Sequence, residues 1–226
     1  MSRRERRAAA SKSASPPRGR ARTPSEFYDA ATRHMQSGQF VEAEGCCREA
    51  LALDAGHADS LHLMGIVALA NQDNERAIEW LVRAIRQTPQ AEYLVNLGTA
   101  LHRLGRWDEA LKAYDKALLF KPDDAGIWTK MGHTLARAER YEEAALSFQH
   151  ALKLDPSLLE AADGGSHVLF KLDRYDEALA CVDIANELRP GDPELVQRRA
   201  ACLVQLNRLD EGLVETNRTL DRKSVV

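Results

Sequence analysis

The feature that most constrains this chain is a period. The segment LGTALHRLGRWDEALKAYDKALLFKPDD, from Leu97, matches MGHTLARAERYEEAALSFQHALKLDPSL, from Met131, at an offset of 34 residues. Carried in both directions, the same register divides the chain into units 24–57, 58–90, 91–124, 125–158, 159–192 and 193–220. A sequence that repeats at such a spacing folds as an array of one supersecondary unit, because each unit can bury its apolar face only against its neighbours.

The units share an internal logic. The first half carries a bulky apolar residue followed by glycine, Met64-Gly65, Leu97-Gly98 and Met131-Gly132, where the missing side chain lets two helices approach. A short polar turn follows, and an aromatic residue then opens the second half at Phe40, Trp107, Tyr141 and Tyr175. Alanines recur seven residues apart in five units: Ala43/Ala50, Ala77/Ala84, Ala110/Ala117, Ala144/Ala151 and Ala178/Ala185. Seven residues are nearly two helical turns, so each pair marks one flat face suited to close packing. Pro89, Pro122, Pro156 and Pro190 end the units by disfavouring helix in the residue before them. The sixth unit is decayed, with Gly212 and Thr219 in the alanine positions.

Small residue, aromatic, Ala, Ala and Pro at these offsets resemble the tetratricopeptide repeat family over residues 24–220. The resemblance implies an all-α, right-handed α-α superhelix, a solenoid of about six antiparallel helix hairpins. It also implies a non-enzymatic module that binds a protein or peptide, with no cofactor. Trp107, Tyr114, Trp128, Phe148 and Tyr175 are then expected in the core. Gly164-Gly165, inside an expected helix, costs roughly 1 kcal/mol per glycine relative to alanine and marks a hinge, a close backbone contact or tolerated drift.

In that family the first helices of successive hairpins line a concave groove. Transferring the register gives Tyr28, Thr32 and Met35; then His62, Ile66 and Leu69; then Val95, Asn96, Thr99, His102 and Arg103. The groove continues through Thr129, Lys130, His133 and Arg137, then Asp163, His167, Phe170 and Lys171, and ends at Gln197, Ala201 and Gln205. It is apolar at one end and basic toward the middle, a composition that suits an extended or helical peptide. Two gripping devices of the family are incomplete. Of the paired Lys and Asn residues that hold a terminal carboxylate, only Asn96 and Lys130 are present, with His62 and Ile66 in the preceding places. The asparagine ladder of protein O-linked N-acetylglucosamine transferases reads Asp29, Leu63, Asn96, Lys130, Gly164 and Arg198 here, so only Asn96 matches.

Charge is divided along the chain. The first 23 residues hold eight basic groups and one acid, which sets a tail of +7 before a body of −10 within the net −3. With hardly any apolar side chain, residues 1–23 are expected to be disordered, and without interleaved aromatics they are not expected to bind nucleic acid specifically. No run of 18 apolar residues exists, and the Arg-rich start lacks the apolar stretch of a secretory signal. No membrane span and a cytoplasmic location are therefore expected. Cys46, Cys47, Cys181 and Cys202 show no C-x-x-C spacing and are expected to be reduced and buried.

The last residues, Asp221 to Val226, continue neither the repeat nor a polar cap of the kind solenoids need. The hexapeptide can be encoded by GATCGGAAGAGCGTCGTG, the start of a common sequencing adapter. The expectation is therefore a truncated reading of a longer bacterial gene, with 221–226 non-native. That leaves two further expectations open: that the array is the substrate-recruiting N-terminal region of a glycosyltransferase similar to the O-linked N-acetylglucosamine transferases, or that it self-associates through its uncapped last hairpin.

Overall fold

The computed structural model describes residues 22–212. The expectations for the basic tail before Arg22 and for the end of the chain after Gly212 lie outside these residues. Eleven helices follow one another without a strand among the described residues: α1 Pro24–Gln36, α2 Phe40–Leu53, α3 Ala58–Ala70, α4 Asn74–Gln87, α5 Ala91–Arg103, α6 Trp107–Leu118, α7 Ala125–Arg137, α8 Tyr141–Leu154, α9 Leu159–Lys171, α10 Tyr175–Leu188 and α11 Pro193–Gln205.

Local chemistry sets the helix starts. Thr23 accepts the Glu26 amide at 3.3 Å while the Glu26 carboxylate accepts the Thr23 amide at 2.8 Å, a reciprocal cap with Pro24 as the first helical residue. Asp73, Asp124 and Asp192 cap α4, α7 and α11 through their carboxylates. Within each hairpin one turn residue adopts the left-handed conformation: Gly38, Gln72, Gly105, Glu139, Asp173 and Asn207, with φ between 57° and 73°. Only two of the six are glycine, so four hairpins tolerate backbone strain there.

Each odd helix packs on the even helix that follows it, on the even helix before it, and on the neighbouring odd helices. The even helices make no comparable contact with one another. Axes that converge on one side and splay on the other bend the stack, which places the odd helices on the concave face and the even helices on the convex one.

The alanine pairs explain how tight the hairpins are. All ten alanines are fully buried at 0% exposure, so the stripe is packed along its whole length. Opposite it, residues 16 apart in sequence exchange volume. A side chain at Gly65 would meet Leu81 at 2.6 Å, one at Gly98 would meet Tyr114 at 2.5 Å, and one at Gly132 would meet Phe148 at 2.7 Å. Where the odd helix carries Ala31 or Ser166 instead, the even helix carries the smaller Cys47 or Val182, and all four are fully buried. A smaller residue on one helix admits a larger one on the other, and the division differs from hairpin to hairpin, as close packing demands.

Tyr114 and Phe148 are buried, whereas Trp107, Trp128 and Tyr175 are only half-buried. The latter three sit at hairpin ends and rims: Trp128 sends its indole N–H to the Pro122 carbonyl at 3.1 Å, and the Tyr175 hydroxyl donates to the Asp173 carboxylate. An amphipathic ring at an element's end keeps its polar atom toward water.

Gly164 is where a hinge, a close contact and drift separate. Helix α9 runs unbroken through both glycines, and a Cβ on Gly164 would lie 2.6 Å from Phe148 Cζ. The Phe148 ring is clasped between the Gly132 and Gly164 backbones, so the second glycine is a close-approach position. At Gly165 the nearest atom is Phe148 Cβ at 3.4 Å, ordinary contact distance that would admit alanine.

Candidate functional site

The concave wall is stitched by polar bonds between residues about one repeat apart. Tyr93 donates its hydroxyl to the Asp59 carboxylate at 2.5 Å, and Gln90 donates to the same hydroxyl at 3.1 Å. The Asn96 amide donates to His62 Nε2 at 2.8 Å, and His62 lies over the Tyr93 ring with 4.2 Å between centroids. Arg103 reaches back to the Leu69 carbonyl at 2.9 Å, a second donor to an oxygen that already accepts the Gln72 amide at 3.2 Å at the end of α3. Further along, Arg198 donates to Ser166 Oγ at 2.9 Å and pairs with the Asp163 carboxylate.

These bonds divide the expected groove residues into two groups. His62 is buried at 8% exposure and Asn96 is half-buried against it, so neither presents a free polar group to a ligand. Thr129 is buried and turns its hydroxyl to the Ala125 carbonyl of its own helix, which takes it off the exposed wall. Leu69 is likewise buried. Phe170 is half-buried edge-on to Tyr175. By contrast Arg103, Lys130, His133, Arg137, His167 and Lys171 are exposed. Ile66, Val95, Thr99 and His102 are half-buried between the two groups.

A cavity of about 580 Å³ opens across α1, α3, α5 and the start of α7. It gathers His62, Ile66, Val95, Asn96 and Lys130 with Tyr28, Thr32 and Asp59. Beyond it the wall changes character. Arg103, Arg137 and Lys171 are the last residues of α5, α7 and α9, equivalent positions in three consecutive hairpins and a column of permanent cations one repeat apart. The corresponding residues of α1 and α3 are Gln36 and Ala70. Helix α7 carries no acid at all, and Asp163 on α9 is already paired with Arg198.

Four histidines of the concave wall, His62, His102, His133 and His167, have their pKa values lowered, in each case chiefly by burial. Burial lowers the His62 pKa to about 4, with Glu92 and Asp59 only partly offsetting it. Because an amide nitrogen can only donate, the Asn96 bond also requires an unprotonated Nε2. Burial also lowers His102, helped by the charges of Arg137, Lys130 and Arg103. The Thr134 hydroxyl donates to the Lys130 carbonyl, so His102 Nδ1 donates to Thr134 at 2.9 Å and leaves Nε2 facing outward as an acceptor. His133, edge-on to Phe148 at 5.0 Å, is lowered by desolvation and by His102 and Lys130, with Asp163 and Glu160 opposing. His167 is lowered by desolvation, Arg198 and Lys171, with Asp163 opposing.

His62 has a measurable consequence for stability. The folded chain binds this proton only near pH 4, whereas an unfolded histidine binds it near pH 6.5. Between those values the unfolded state holds more protons, so stability is full above pH 6.5 and declines as pH falls to 4, by up to about 3 kcal/mol. Urea unfolding of the chain and of His62→Gln at pH 7 and pH 4.5 checks this: the variant is expected to lose markedly less stability over that interval.

Among the described residues no three His, Cys, Asp or Glu side chains converge as a metal site. The four cysteines are free; Cys47, Cys181 and Cys202 are buried, whereas Cys46 is only half-buried, and burial raises the Cys47 thiol to about 12 and Cys181 to about 11. No described helix is long and apolar enough to cross a membrane.

A curved stack of helical hairpins defines an α-solenoid by architecture. Comparison with known proteins makes the family explicit. Tetratricopeptide repeat models match residues 28–92, 62–126 and 125–158, together more than half of the chain, and the chain belongs to that family. Photosystem I assembly protein Ycf3 of Prochlorococcus marinus is 29% identical over 108 residues, covering 46% of this chain and 62% of that protein. Superkiller protein 3 of Saccharomyces cerevisiae is 38% identical over 61 residues, covering 26% of this chain and 4% of that protein. The chain thus spans less than two thirds of each relative's length. Among solved structures, Pseudomonas aeruginosa pilF superposes with a TM-score of 0.75 at 18% identity, covering 88% of this chain and 90% of that one. YrrB, a TPR protein with an unusual peptide-binding site, superposes with a TM-score of 0.65 at 22% identity, covering 75% and 88%. At these identities the structural likeness concerns the fold.

Proposed function

We propose that this protein is a binding adaptor whose concave groove captures an acid-bearing peptide segment of another protein. One observation carries the reading: the column Arg103, Arg137 and Lys171, joined by Lys130, lines a wall whose local acids are few or already paired, on a body that is otherwise acidic. Preformed helical walls spare the partner most of the ordering cost on the protein's side, and the cation column supplies steering and register. The neighbouring cavity offers Ile66, Val95 and Tyr28 as apolar anchoring surface beside the charged wall.

The test is a panel of fluorescent peptides, acidic, neutral and basic, titrated against the protein and against Arg137→Glu/Lys171→Glu. Both side chains are exposed and make no hydrogen bond or ion pair among the described residues, so the fold of those residues does not depend on them. The double variant is expected to weaken the acidic peptides at least tenfold, and 0.5 M salt should weaken them in the parent protein. An anion in the groove raises the pKa of His102, His133 and His167, so association takes up protons. Affinity should therefore rise as pH falls from 7.5 to 5.5, while the peptide carboxylates remain ionised. Equal affinity in parent and variant would discard the groove.

A further inference from the structure

The convex face holds a second recess that the groove does not use. Helices α4 and α6 stand apart over α5, leaving a trough of about 690 Å³. Val82 and Ile85 form one wall, Leu97 the floor, and Leu119 with Phe120 the other rim. Leu94, Leu97 and Leu101 of α5 face this trough, whereas Val95 and Asn96 face the groove. The two recesses therefore share a helix and lie on opposite sides of it.

The trough is built by a departure from the repeat. Helix α6 has 12 residues where α2, α4, α8 and α10 have 14, so the chain turns early and leaves Leu119 at 83% and Phe120 at 53% exposure. Single exposed apolar residues are ordinary, but two adjacent ones lining a concave apolar recess are a pattern of interaction sites. Arg86, Lys112 and Lys116 ring the trough, all exposed and without an ion pair among the described residues. Glu109, also on its rim, is held by a two-bond fork from Arg106 at 2.7 Å. The next trough, between α6 and α8, shows the contrast: Asp115 stands one repeat after Val82, and Arg140 there already pairs with Glu143 and Asp108.

We infer that the α4–α6 trough is a docking site for an amphipathic helix of a protein partner, with an apolar stripe flanked by acidic residues. A channel between two splayed helices has the shape that takes a third, and its apolar walls meet the stripe while the three cations meet the flanks. The same charges select against this chain's own first 23 residues, whose balance is +7.

Two designed helices with one shared leucine stripe, one flanked by Glu and one by Lys, test the assignment by titration and by chemical-shift mapping on the unmodified protein. The Glu-flanked helix is expected to bind at least tenfold tighter and to shift amides of Val82, Ile85, Lys116 and Leu119. Leu119→Asp/Phe120→Ser should reduce its affinity at least tenfold, and Arg137→Glu/Lys171→Glu should leave it unchanged. Shifts confined to the concave face, equal affinity for both helices, or no binding of either overturns the assignment. A dimer of the unmodified protein that Leu119→Asp/Phe120→Ser dissolves also overturns it, in favour of a second copy as occupant.

Discussion

Phe148→Ala is expected to lower stability by about 3–5 kcal/mol, among the largest effects of any single substitution in the array. The side chain is 1% exposed and packs on the helices of both flanking hairpin positions, α7 and α9. Its ring is clasped between Gly132 of α7 and Gly164 of α9, and its edge supports His133 on the groove wall. Truncation opens a void between two glycine backbones, which have no side chains to collapse into it. Because a solenoid is stabilised repeat by repeat through nearest-neighbour interfaces, the loss falls on the junction of the fourth and fifth hairpins. Chemical denaturation followed by hydrogen exchange locates it: protection should drop most in α7, α8 and α9 and least in α3 and α4. A companion measurement separates shape from volume. Gly164→Ala alone should be destabilising, because its Cβ would sit 2.6 Å from the ring, and should cost less in a Phe148→Leu background.

The second large effect concerns the volume exchange at Gly98 and Tyr114. Gly98→Ser puts an atom 2.5 Å from a ring that is itself 2% exposed, so the ring must move at a cost of about 1–3 kcal/mol or more. Tyr114→Val alone leaves a cavity worth about 2–5 kcal/mol. The fifth hairpin already uses the reciprocal pair, Ser166 with Val182, both fully buried. The double substitution transplants that solution two places back along the array, to the third hairpin. Its cost should fall below the sum of the single costs by about 0.5–3 kcal/mol of coupling. Strict additivity in the thermodynamic cycle would show that the two positions do not share one packing site.

The groove residues show why the two kinds of information differ. His62, Asn96 and Thr129 occupy register positions that face the concave side in a repeat of this kind, and nothing local distinguishes them from His133, Lys130 or Arg137. What removes them from the surface is a partner about 34 residues away or on the same helix: Asn96 for His62, Ala125 for Thr129. A trace of the first kind was present in the chain, since His62 and Asn96 are polar neighbours at the repeat offset, but their bond depends on how far one hairpin rotates over the next. Likewise Gly164 is legible as an anomaly in a helix, while its cause, a ring from the preceding hairpin, is not.

By itself the sequence determined the hairpin order and the all-α class, because a 34-residue period with fixed alanine, glycine and proline positions encodes packing inside one hairpin, and packing inside a hairpin is local. It also determined that Ala43 through Ala185 form the buried stripe, since residues seven apart share a helix face. Only the tertiary structure decided which groove residues remain free, why Gly164 has no side chain, and that α6 stops early beside an apolar trough. Those outcomes depend on the stagger and rotation between successive hairpins, set by the summed contacts of many side chains from separate repeats. No single repeat contains that quantity.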